Sequence, residues 1–335
     1  MRAAAAAILG CAGPRLTEPE RRFFAEAQPW GFILFARNCE SAAQTAALVS
    51  DLRASVGRQA PVLIDQEGGR VTRLSKDAGR RWLPPLDAVQ RAGTRAEEML
   101  HLRYRIIAHE LSALGIDVNC APLADIATPA THPFLRNRCL GETPGDVAQR
   151  ARAVAEGLLA GGVLPVLKHI PGHGRATADS HHDLPRVEAP LAELRLTDFA
   201  PFAALADLPL GMTAHVVYAA LDDRAATVSP VVTRLIREEL GFGGLLMTDD
   251  LSMQALSGDV GSRAAAACAA GCDIALHCNG DLAQMEAVIA AAGPLEGAAG
   301  ARAEAALACR RVPDPVDIDA LEAKHRELLA GARDG

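Results

Sequence analysis

The segment from Gly162 to Pro185 reads Gly-Val-Leu-Pro-Val-Leu-Lys-His-Ile-Pro-Gly-His-Gly-Arg-Ala-Thr-Ala-Asp-Ser-His-His-Asp-Leu-Pro. An apolar run leads into a polar stretch that holds four of the chain's ten histidines. The glycines and the proline after the run disfavour both a helix and a central strand. The segment therefore predicts a buried strand that ends in a loop, and this loop presents Lys168, His169, Asp179 and His181.

Short apolar runs alternate with longer helical patterns along the whole chain. The runs are continuous in their hydrophobicity, which is typical of parallel strands covered on both faces. We predict eight strands, at Ala5–Leu9, Phe32–Phe35, Val62–Asp65, Ile116–Cys120, Leu164–Lys168, Leu210–Ala214, Leu245–Thr248 and Asp273–Leu276. This pattern in 335 residues favours an α/β fold, a (β/α)8 or TIM barrel that forms a single domain over residues 1–335, with a helical tail from about residue 300.

A doubly wound open sheet is the alternative fold. Such sheets often carry Gly-x-Gly-x-x-Gly after the first strand or Gly-x-x-x-x-Gly-Lys-Ser/Thr, and the sequence has neither motif. The barrel is therefore favoured.

Several helices have ends that can be predicted from local sequence. Thr17-Glu-Pro-Glu20 and Thr94-Arg-Ala-Glu97 have the capping-box pattern, in which the first and fourth side chains cap each other's backbone. Ser41 precedes a helical pattern that extends to about Val56, and Ser229 precedes a helix with Pro230 in its first position.

Composition excludes several classes of protein. With 34 Lys and Arg against 41 Asp and Glu, the net charge of −7 argues against a nucleic-acid partner. Eight cysteines without a Cys-x-x-Cys pair indicate reduced, mostly buried thiols and a cytoplasmic protein.

The run Ala3–Leu9 imitates a short secretory signal, but it is at the lower length limit for one and equally suits a buried first strand, which we favour. No apolar run reaches the roughly 18 residues that cross a membrane, so we expect no membrane partner.

Polar and ionisable residues follow almost every predicted strand. In a (β/α)8 barrel the functional site forms at the carboxyl ends of the strands, so these residues should converge. A barrel that served only as a scaffold would not need so many. They are Asp65, Glu67, Arg70 and Arg73 after the third strand, Asn119, Asp125 and Arg138 after the fourth, Lys168, His169, Asp179 and His181 after the fifth, His215 after the sixth, Asp249 and Asp250 after the seventh, and His277 and Asn279 after the eighth.

Two groups of these residues suggest catalysis. Asp249 ends an apolar strand, where its carboxylate could act as a nucleophile, a general base or a metal ligand. Asp179 and His181 are two residues apart, so in extended chain they face the same way and the carboxylate would favour a protonated imidazole. Taken singly, the Asp249-Asp250 pair is more often a helix cap and the Asp179–His181 pair a surface hydrogen bond.

A metal-dependent hydrolase is the main alternative from the residues alone. Zinc or a dinuclear centre could bind His169, His173, His181, His182, Asp183 and His215. Against this, Pro171 and Gly172 separate the first two histidines, so they do not share a helix turn, and the first strand lacks His-x-His. We therefore expect neither a metal nor another cofactor.

Two long motifs resemble those of β-N-acetylglucosaminidases in glycoside hydrolase family 3. They are Lys168-His-Ile-Pro-Gly-His-Gly-x4-Asp-Ser-His181 and Leu235-Ile-Arg-Glu-Glu-Leu-Gly-Phe-Gly-Gly-Leu-Leu-Met-Thr-Asp-Asp-Leu-Ser252. Gly31–Asn38, Ile64–Arg73 and Met212–His215 follow the order of the family, so that the resemblance covers about residues 8–280.

The resemblance implies a retaining exo-glycosidase with Asp249 as nucleophile, His181 as acid/base and Asp179 as its partner. It implies that the N-acetylglucosamine (GlcNAc) unit is bound by Asp65, Arg73, Arg138, Lys168 and His169. It further implies a cytoplasmic enzyme that removes β-1,4-linked GlcNAc from 1,6-anhydro-N-acetylmuramyl peptides in peptidoglycan recycling. We expect a monomer whose only partner is this carbohydrate substrate.

Other functions remain as alternatives within the same fold. A β-glucosidase or β-xylosidase is disfavoured by the His–Asp pair and by the absence of a second domain supplying a carboxylic acid. A sugar-binding barrel without activity is disfavoured because both predicted catalytic residues are present. The chain departs from the family pattern at Cys139-Leu140, where Ser-Phe usually follows the arginine.

Overall fold

A ring of eight parallel strands forms the centre of the computed structural model, which describes residues 3–176 and 184–330. The first seven strands of the ring pair in chain order, and the eighth pairs with the first. A parallel bridge between Met247 and Ile274 joins the two ends of this order, with a 3.0 Å hydrogen bond from Thr248 N to Ile274 O. The predicted (β/α)8 barrel is therefore confirmed.

The barrel strands are β1 (Ala5–Gly10), β2 (Pro29–Leu34), β3 (Val62–Ile64), β4 (Val118–Asn119), β5 (Leu164–Ile170), β7 (Leu210–Thr213), β9 (Leu245–Met247) and β10 (Ala275–His277), and a separate parallel pair is formed by β6 (Arg186–Val187) and β8 (Val217–Tyr218). The helices are α1 (Glu18–Ala27), α2 (Ala42–Val56), α3 (Pro85–Ala92), α4 (Ala96–Ala113), α5 (Pro133–Arg136), α6 (Pro144–Ala160), α7 (Leu191–Leu196), α8 (Ala200–Ala204), α9 (Pro230–Arg234), α10 (Val260–Ala270), α11 (Leu282–Ala292), α12 (Gly297–Ala308) and α13 (Ile318–Ala330).

Both faces of the barrel strands are buried, which explains their continuous hydrophobicity. Ile8, Ile33 and Val166 belong to a cluster inside the barrel, whereas their neighbours Leu9 and Leu34 belong to the cluster between the strands and the helices. Successive side chains point to opposite faces of a strand, so both faces must be apolar where both are covered. The inner cluster fills the barrel below its carboxyl ends, and the pocket lies above it.

Most of the predicted helix ends are confirmed. Thr17 and Glu20 form the reciprocal capping box, and Ser41 and Ser229 cap α2 and α9 through their side-chain oxygens. The prediction that Thr94 caps the long helix was wrong, because a short 3-10 turn (Gly93–Arg95) leads directly from α3 into α4.

Two short helices form in a segment whose sequence has one helical pattern. The pattern from Leu191 to Leu205 forms α7 and α8, separated near Thr197. Pro201 lacks a backbone N–H and cannot sit inside a helix, but it is tolerated in the first turn of α8. Thr197 has non-helical backbone angles, with φ −119° and ψ −90°, so α7 ends there.

The carboxy-terminal helices pack against the barrel. Ala303 and Ala306 of α12 belong to the inner cluster, and Leu295 N donates to Ala4 O just before β1, so α12 covers the amino-terminal end of the barrel. Helix α13 packs against α3 and α4 and buries His325 and Leu328.

Among the described residues, no helix is both long and apolar enough to cross a membrane. All eight cysteines are free thiols, and six of them are buried.

The buried position of His325 predicts a pH dependence of stability. Burial and the nearby Arg103 lower the pKa of His325 from 6.5 to about 4, while Glu322 opposes the shift. Between these two pH values the unfolded chain binds a proton that the folded chain does not, so the free energy of unfolding falls as pH drops from about 6.5 to about 4. Over this range the free energy of unfolding should fall in both proteins, and the fall should be smaller in His325→Gln than in wild type by on the order of 2 kcal/mol.

Urea denaturation at pH 7 and pH 4.5 measures this difference. His109→Gln is the matched control, because His109 is an exposed histidine on the neighbouring helix α4. If the free energy of unfolding falls equally in wild type and His325→Gln, the lowered pKa of His325 is contradicted.

Candidate active site

A pocket opens at the carboxyl ends of the barrel strands. It is bounded by charged and imidazole groups and by apolar side chains, which are Ile33, Phe35, Asp65, Val71, Arg73, Phe134, Leu135, Arg138, Lys168, His169, His173, Met212, Asp249, Asp250, Met253, Leu276 and Cys278. A concave site with converging polar groups at this end of a barrel is the expected place for chemistry.

The loop after β3 brings Asp65 and Arg73 together. The Asn119 side chain, at the end of β4, exchanges two hydrogen bonds with the Gln66 backbone, at 3.0 Å and 3.1 Å. The Gln66 side-chain oxygen accepts a 2.9 Å hydrogen bond from Arg73 N, which returns the chain to the pocket. The Arg73 guanidinium then lies 3.4 Å from the Asp65 carboxylate.

Glu67 joins three segments of the chain beneath the pocket. Its fully buried carboxylate accepts two 2.9 Å hydrogen bonds from the Arg138 guanidinium and lies 2.7 Å from Lys168 Nζ. Burial alone would raise its pKa, but the two cations lower it to about 2. Glu67 is therefore ionised and fixes the direction of both cationic side chains.

Lys168 also contacts Asp65, so the same ammonium group serves two carboxylates. Its Nζ atom lies 2.8 Å from Asp65 Oδ1. Burial opposes ionisation of Asp65, yet Lys168 and Arg73 hold its pKa well below the ordinary value. Burial likewise opposes the charge of Lys168, whereas Asp65 and Glu67 raise its pKa. The pocket floor is thus a network of fixed charges that can direct hydrogen bonds to a polar ligand.

His169 follows Lys168 on β5, and Asp125 orients its ring. Asp125 Oδ2 lies 2.7 Å from His169 Nδ1, and its Oδ1 accepts a 2.6 Å hydrogen bond from His173 N. The peptide bond between Lys168 and His169 is cis. Because Nδ1 is engaged behind the pocket, the Nε2 side of the His169 ring is left for the pocket.

The two aspartates after β9 have different roles. Asp250 accepts hydrogen bonds from Ser252 N at 3.0 Å and Cys278 N at 3.2 Å, so it holds two loops together. The Asp249 carboxylate accepts a hydrogen bond from Asp250 N at 2.8 Å. Burial acts to raise the pKa of Asp249, but His215, His169, the hydrogen bond from Asp250 N and Lys168 lower it, so the carboxylate stays ionised.

Six of the eight residues that the sequence analysis selected line this single pocket, namely Asp65, Arg73, Arg138, Lys168, His169 and Asp249. The other two, Asp179 and His181, lie outside the described residues. The unusual Cys139 beside Arg138 is fully buried, and its thiol contacts the Leu135 carbonyl, so it does not displace the arginine.

The alternative metal set is only partly described. His169 and His173 line the pocket, and the buried His215 contacts Thr227 instead, with Nδ1 2.7 Å from the Thr227 hydroxyl. His181, His182 and Asp183 lie outside the described residues. Within residues 3–176 and 184–330, no three His, Cys, Asp or Glu side chains are arranged to hold a metal ion.

Sequence reasoning placed Glu67 and Asp125 near the pocket but gave neither of them a role in organising the site. Glu67 had a usable signal, because residues two apart in extended chain face the same way and Asp65 was already selected. No local signal identified the partner of Asp125. Asp125 lies after β4, and only the packing of β4 against β5 brings it to His169.

The buried position of Glu67 predicts that replacing its carboxylate by an amide strongly lowers stability. Glu67→Gln removes the charge that compensates Arg138 and Lys168, so we expect the free energy of unfolding to fall by about 3–5 kcal/mol. Thermal or urea denaturation measures this loss. Glu142→Gln is the control, since Glu142 pairs with Arg136 at the surface and its loss should cost less than about 1 kcal/mol. Similar losses in both variants would refute the central role of Glu67.

Known proteins resemble this chain over most of its length. Residues 9–312 match the family described as "Glycosyl hydrolase family 3 N terminal domain". A β-hexosaminidase of Bordetella avium is 38% identical over 281 residues, covering 81% of this chain and 80% of that protein. A β-hexosaminidase of Methylococcus capsulatus is 39% identical over 276 residues, covering 80% of each.

Solved structures agree with these relatives. The structure of NagZ from Neisseria gonorrhoeae in complex with N-trifluoroacetyl-D-glucosamine superposes with a TM-score of 0.84 at 29% identity, covering 98% of this chain and 97% of that one. These findings support the predicted enzyme class, a glycoside hydrolase of the β-N-acetylhexosaminidase type. The chain belongs to glycosyl hydrolase family 3.

Proposed function

We propose that this glycoside hydrolase is a retaining exo-β-N-acetylglucosaminidase that releases terminal, non-reducing, β-1,4-linked GlcNAc. One observation supports the proposal above all others. Asp249, kept ionised by its surroundings, shares a pocket with a fixed network of Asp65, Arg73, Arg138 and Lys168. A nucleophilic carboxylate beside directed donors and acceptors suits a small, hydroxyl-rich ring.

In the proposed first step, Asp249 attacks the anomeric carbon while His181 donates a proton to the glycosidic oxygen. The bond from carbon to the leaving oxygen breaks, and a glycosyl ester forms on Asp249. In the second step His181 takes a proton from water, whose oxygen attacks the same carbon and releases Asp249 as a carboxylate. Asp179 would hold the His181 ring and favour its protonated form before the first step.

The remaining pocket residues would bind the GlcNAc unit. Asp65 has acceptor oxygens for sugar hydroxyls, and Lys168 and Arg73 supply charged donors on either side of it. Arg138 would be held in place by Glu67, and His169 would present Nε2 because Asp125 engages Nδ1. Such oriented groups hold the anomeric carbon near the nucleophile, which lowers the entropic part of the barrier.

We further propose a substrate, a location and an assembly state. The substrate would be GlcNAc-1,6-anhydro-N-acetylmuramic acid, with or without its peptide, in peptidoglycan recycling. The similarity to NagZ and to β-hexosaminidases of bacteria supports this choice. The enzyme would act in the cytoplasm as a monomer, with one catalytic domain and without a cofactor.

Hydrolysis of p-nitrophenyl β-N-acetylglucosaminide by wild type and Asp249→Ala tests the nucleophile. We expect release that EDTA does not change and that Asp249→Ala lowers by at least about a thousandfold, since no other carboxylate would form the glycosyl ester. Activity surviving in Asp249→Ala would place the nucleophile elsewhere. Loss of wild-type activity on chelation would favour the metal-dependent hydrolase.

The role of His181 predicts a dependence on the leaving group. A GlcNAc disaccharide needs a proton on its leaving oxygen, whereas p-nitrophenolate leaves without one. For His181→Ala we therefore expect kcat/KM to fall by about a hundredfold or more on the disaccharide and by much less on the nitrophenyl glycoside. His182→Ala is the adjacent control, because no catalytic role is proposed for it. Equal losses on both substrates would contradict general-acid catalysis by His181.

A further inference from the structure

Helix α13 contacts the loop that carries part of the pocket. The family match ends at residue 312, before α13 begins. The loop comprises residues 65–84 and contains no helix or strand. Loops longer than roughly 12–15 residues without secondary structure need tertiary contacts to stay ordered and are commonly functional. The contacts of this loop therefore bear directly on the pocket.

The first contact is an ion pair at the far end of the loop. Arg80 lies between α4 and α13, with Nη1 2.8 Å from Glu110 Oε1 and Nη2 3.0 Å from Glu322 Oε2. Arg80 N also donates a 2.9 Å hydrogen bond to Glu110. The loop is thus attached to the outer helix layer through both the backbone and the side chain of one residue.

The second contact is aromatic. The rings of Trp82 and His325 meet edge to face, with 5.1 Å between their centroids. The Trp82 carbonyl accepts a 3.0 Å hydrogen bond from Gly69 N, at the turn beside Glu67. The side chain of Trp82 also lies against the buried guanidinium of Arg103, whose Cζ is 5.5 Å from the ring centroid.

Arg103 connects this layer to the pocket floor. Its Nη2 atom donates a 2.6 Å hydrogen bond to the Glu67 carbonyl, which also accepts a 3.1 Å hydrogen bond from the Tyr104 hydroxyl. The carboxylate of the same Glu67 holds Lys168 and Arg138 on the pocket side. An unbroken series of contacts therefore runs from α13 through the loop to residues that line the pocket.

We propose that α13 is a positioning element of the active site, in which Glu322 and His325 hold the 65–84 loop so that Asp65, Glu67 and Arg73 keep their binding geometry. This inference rests on the proposed function, because those residues are proposed to bind the sugar directly or through Lys168 and Arg138. The nucleophile Asp249 lies on a different loop. Loss of the α13 contacts should therefore weaken substrate binding more than it slows bond cleavage.

Kinetics of Glu322→Gln and His325→Ala on p-nitrophenyl β-N-acetylglucosaminide test this proposal. We expect KM to rise about fivefold in each variant while kcat changes by less than about twofold. His325→Phe keeps an aromatic ring against Trp82 and should retain a KM close to that of wild type. Glu327→Gln is the surface control, since Glu327 pairs only with Lys324 on the same helix among the described contacts.

A separate control distinguishes positioning from general stability. Leu328 lies on α13 in the hydrophobic core, so Leu328→Ala should lower the melting temperature without removing either contact to the loop. If Leu328→Ala leaves KM unchanged while Glu322→Gln and His325→Ala raise it, positioning is supported. If KM is unchanged in all three, or follows the melting temperature alone, the proposal is overturned.

Tryptophan fluorescence gives a reading that does not depend on catalysis. The chain has two tryptophans, and Trp30 is buried, so acrylamide quenching reports mainly on the half-buried Trp82. Quenching should increase in Glu322→Gln and His325→Ala and stay at the wild-type level in Glu327→Gln. Unchanged quenching would show that the loop does not depend on α13. Absence of hydrolysis by wild type would instead overturn the proposed function, and the quenching result would still decide whether α13 holds the loop.

Discussion

The pocket depends on the burial of one carboxylate, that of Glu67, between Lys168 and Arg138. An isolated buried carboxylate would be protonated, and isolated buried cations would be strongly destabilising. Together they satisfy each other's hydrogen bonds, and Asp65 balances the remaining positive charge of Lys168. Such a group tolerates little rearrangement, because moving any member leaves a buried charge without a partner. The direction of every charged side chain on the pocket floor follows from this constraint.

The backbone around Glu67 is constrained just as closely. Gly68 has a φ of +97°, and a Cβ atom there would lie 1.8 Å from Arg103 Nη2. Only glycine allows the chain to turn at this point while the guanidinium approaches the Glu67 carbonyl. The turn at Gly68 and Gly69 therefore also makes room for a buried cation. This close approach joins the pocket floor to α4, Trp82 and, beyond them, α13.

Much of the fold follows from local sequence because its determinants are local. Continuous apolar runs predicted all eight barrel strands, with ends differing by at most three residues, and Thr17, Ser41 and Ser229 were identified as helix caps. The error at Thr94 has a tertiary cause, since α3 packs against α4 and joins it through a 3-10 turn that leaves no free amino terminus to cap.

The convergence of the site residues in one pocket could be predicted from the sequence. Barrel topology places every residue at a strand's carboxyl end near one axis, so Asp65, Lys168, His169 and Asp249 could be assigned to one pocket from their positions alone. Tertiary structure alone decided which charges are paired, that Glu67 and Asp125 stand behind Lys168 and His169, and that α13 reaches the loop after β3. These contacts join residues far apart in the chain, and their energies depend on burial and distance, which no local pattern of side chains encodes.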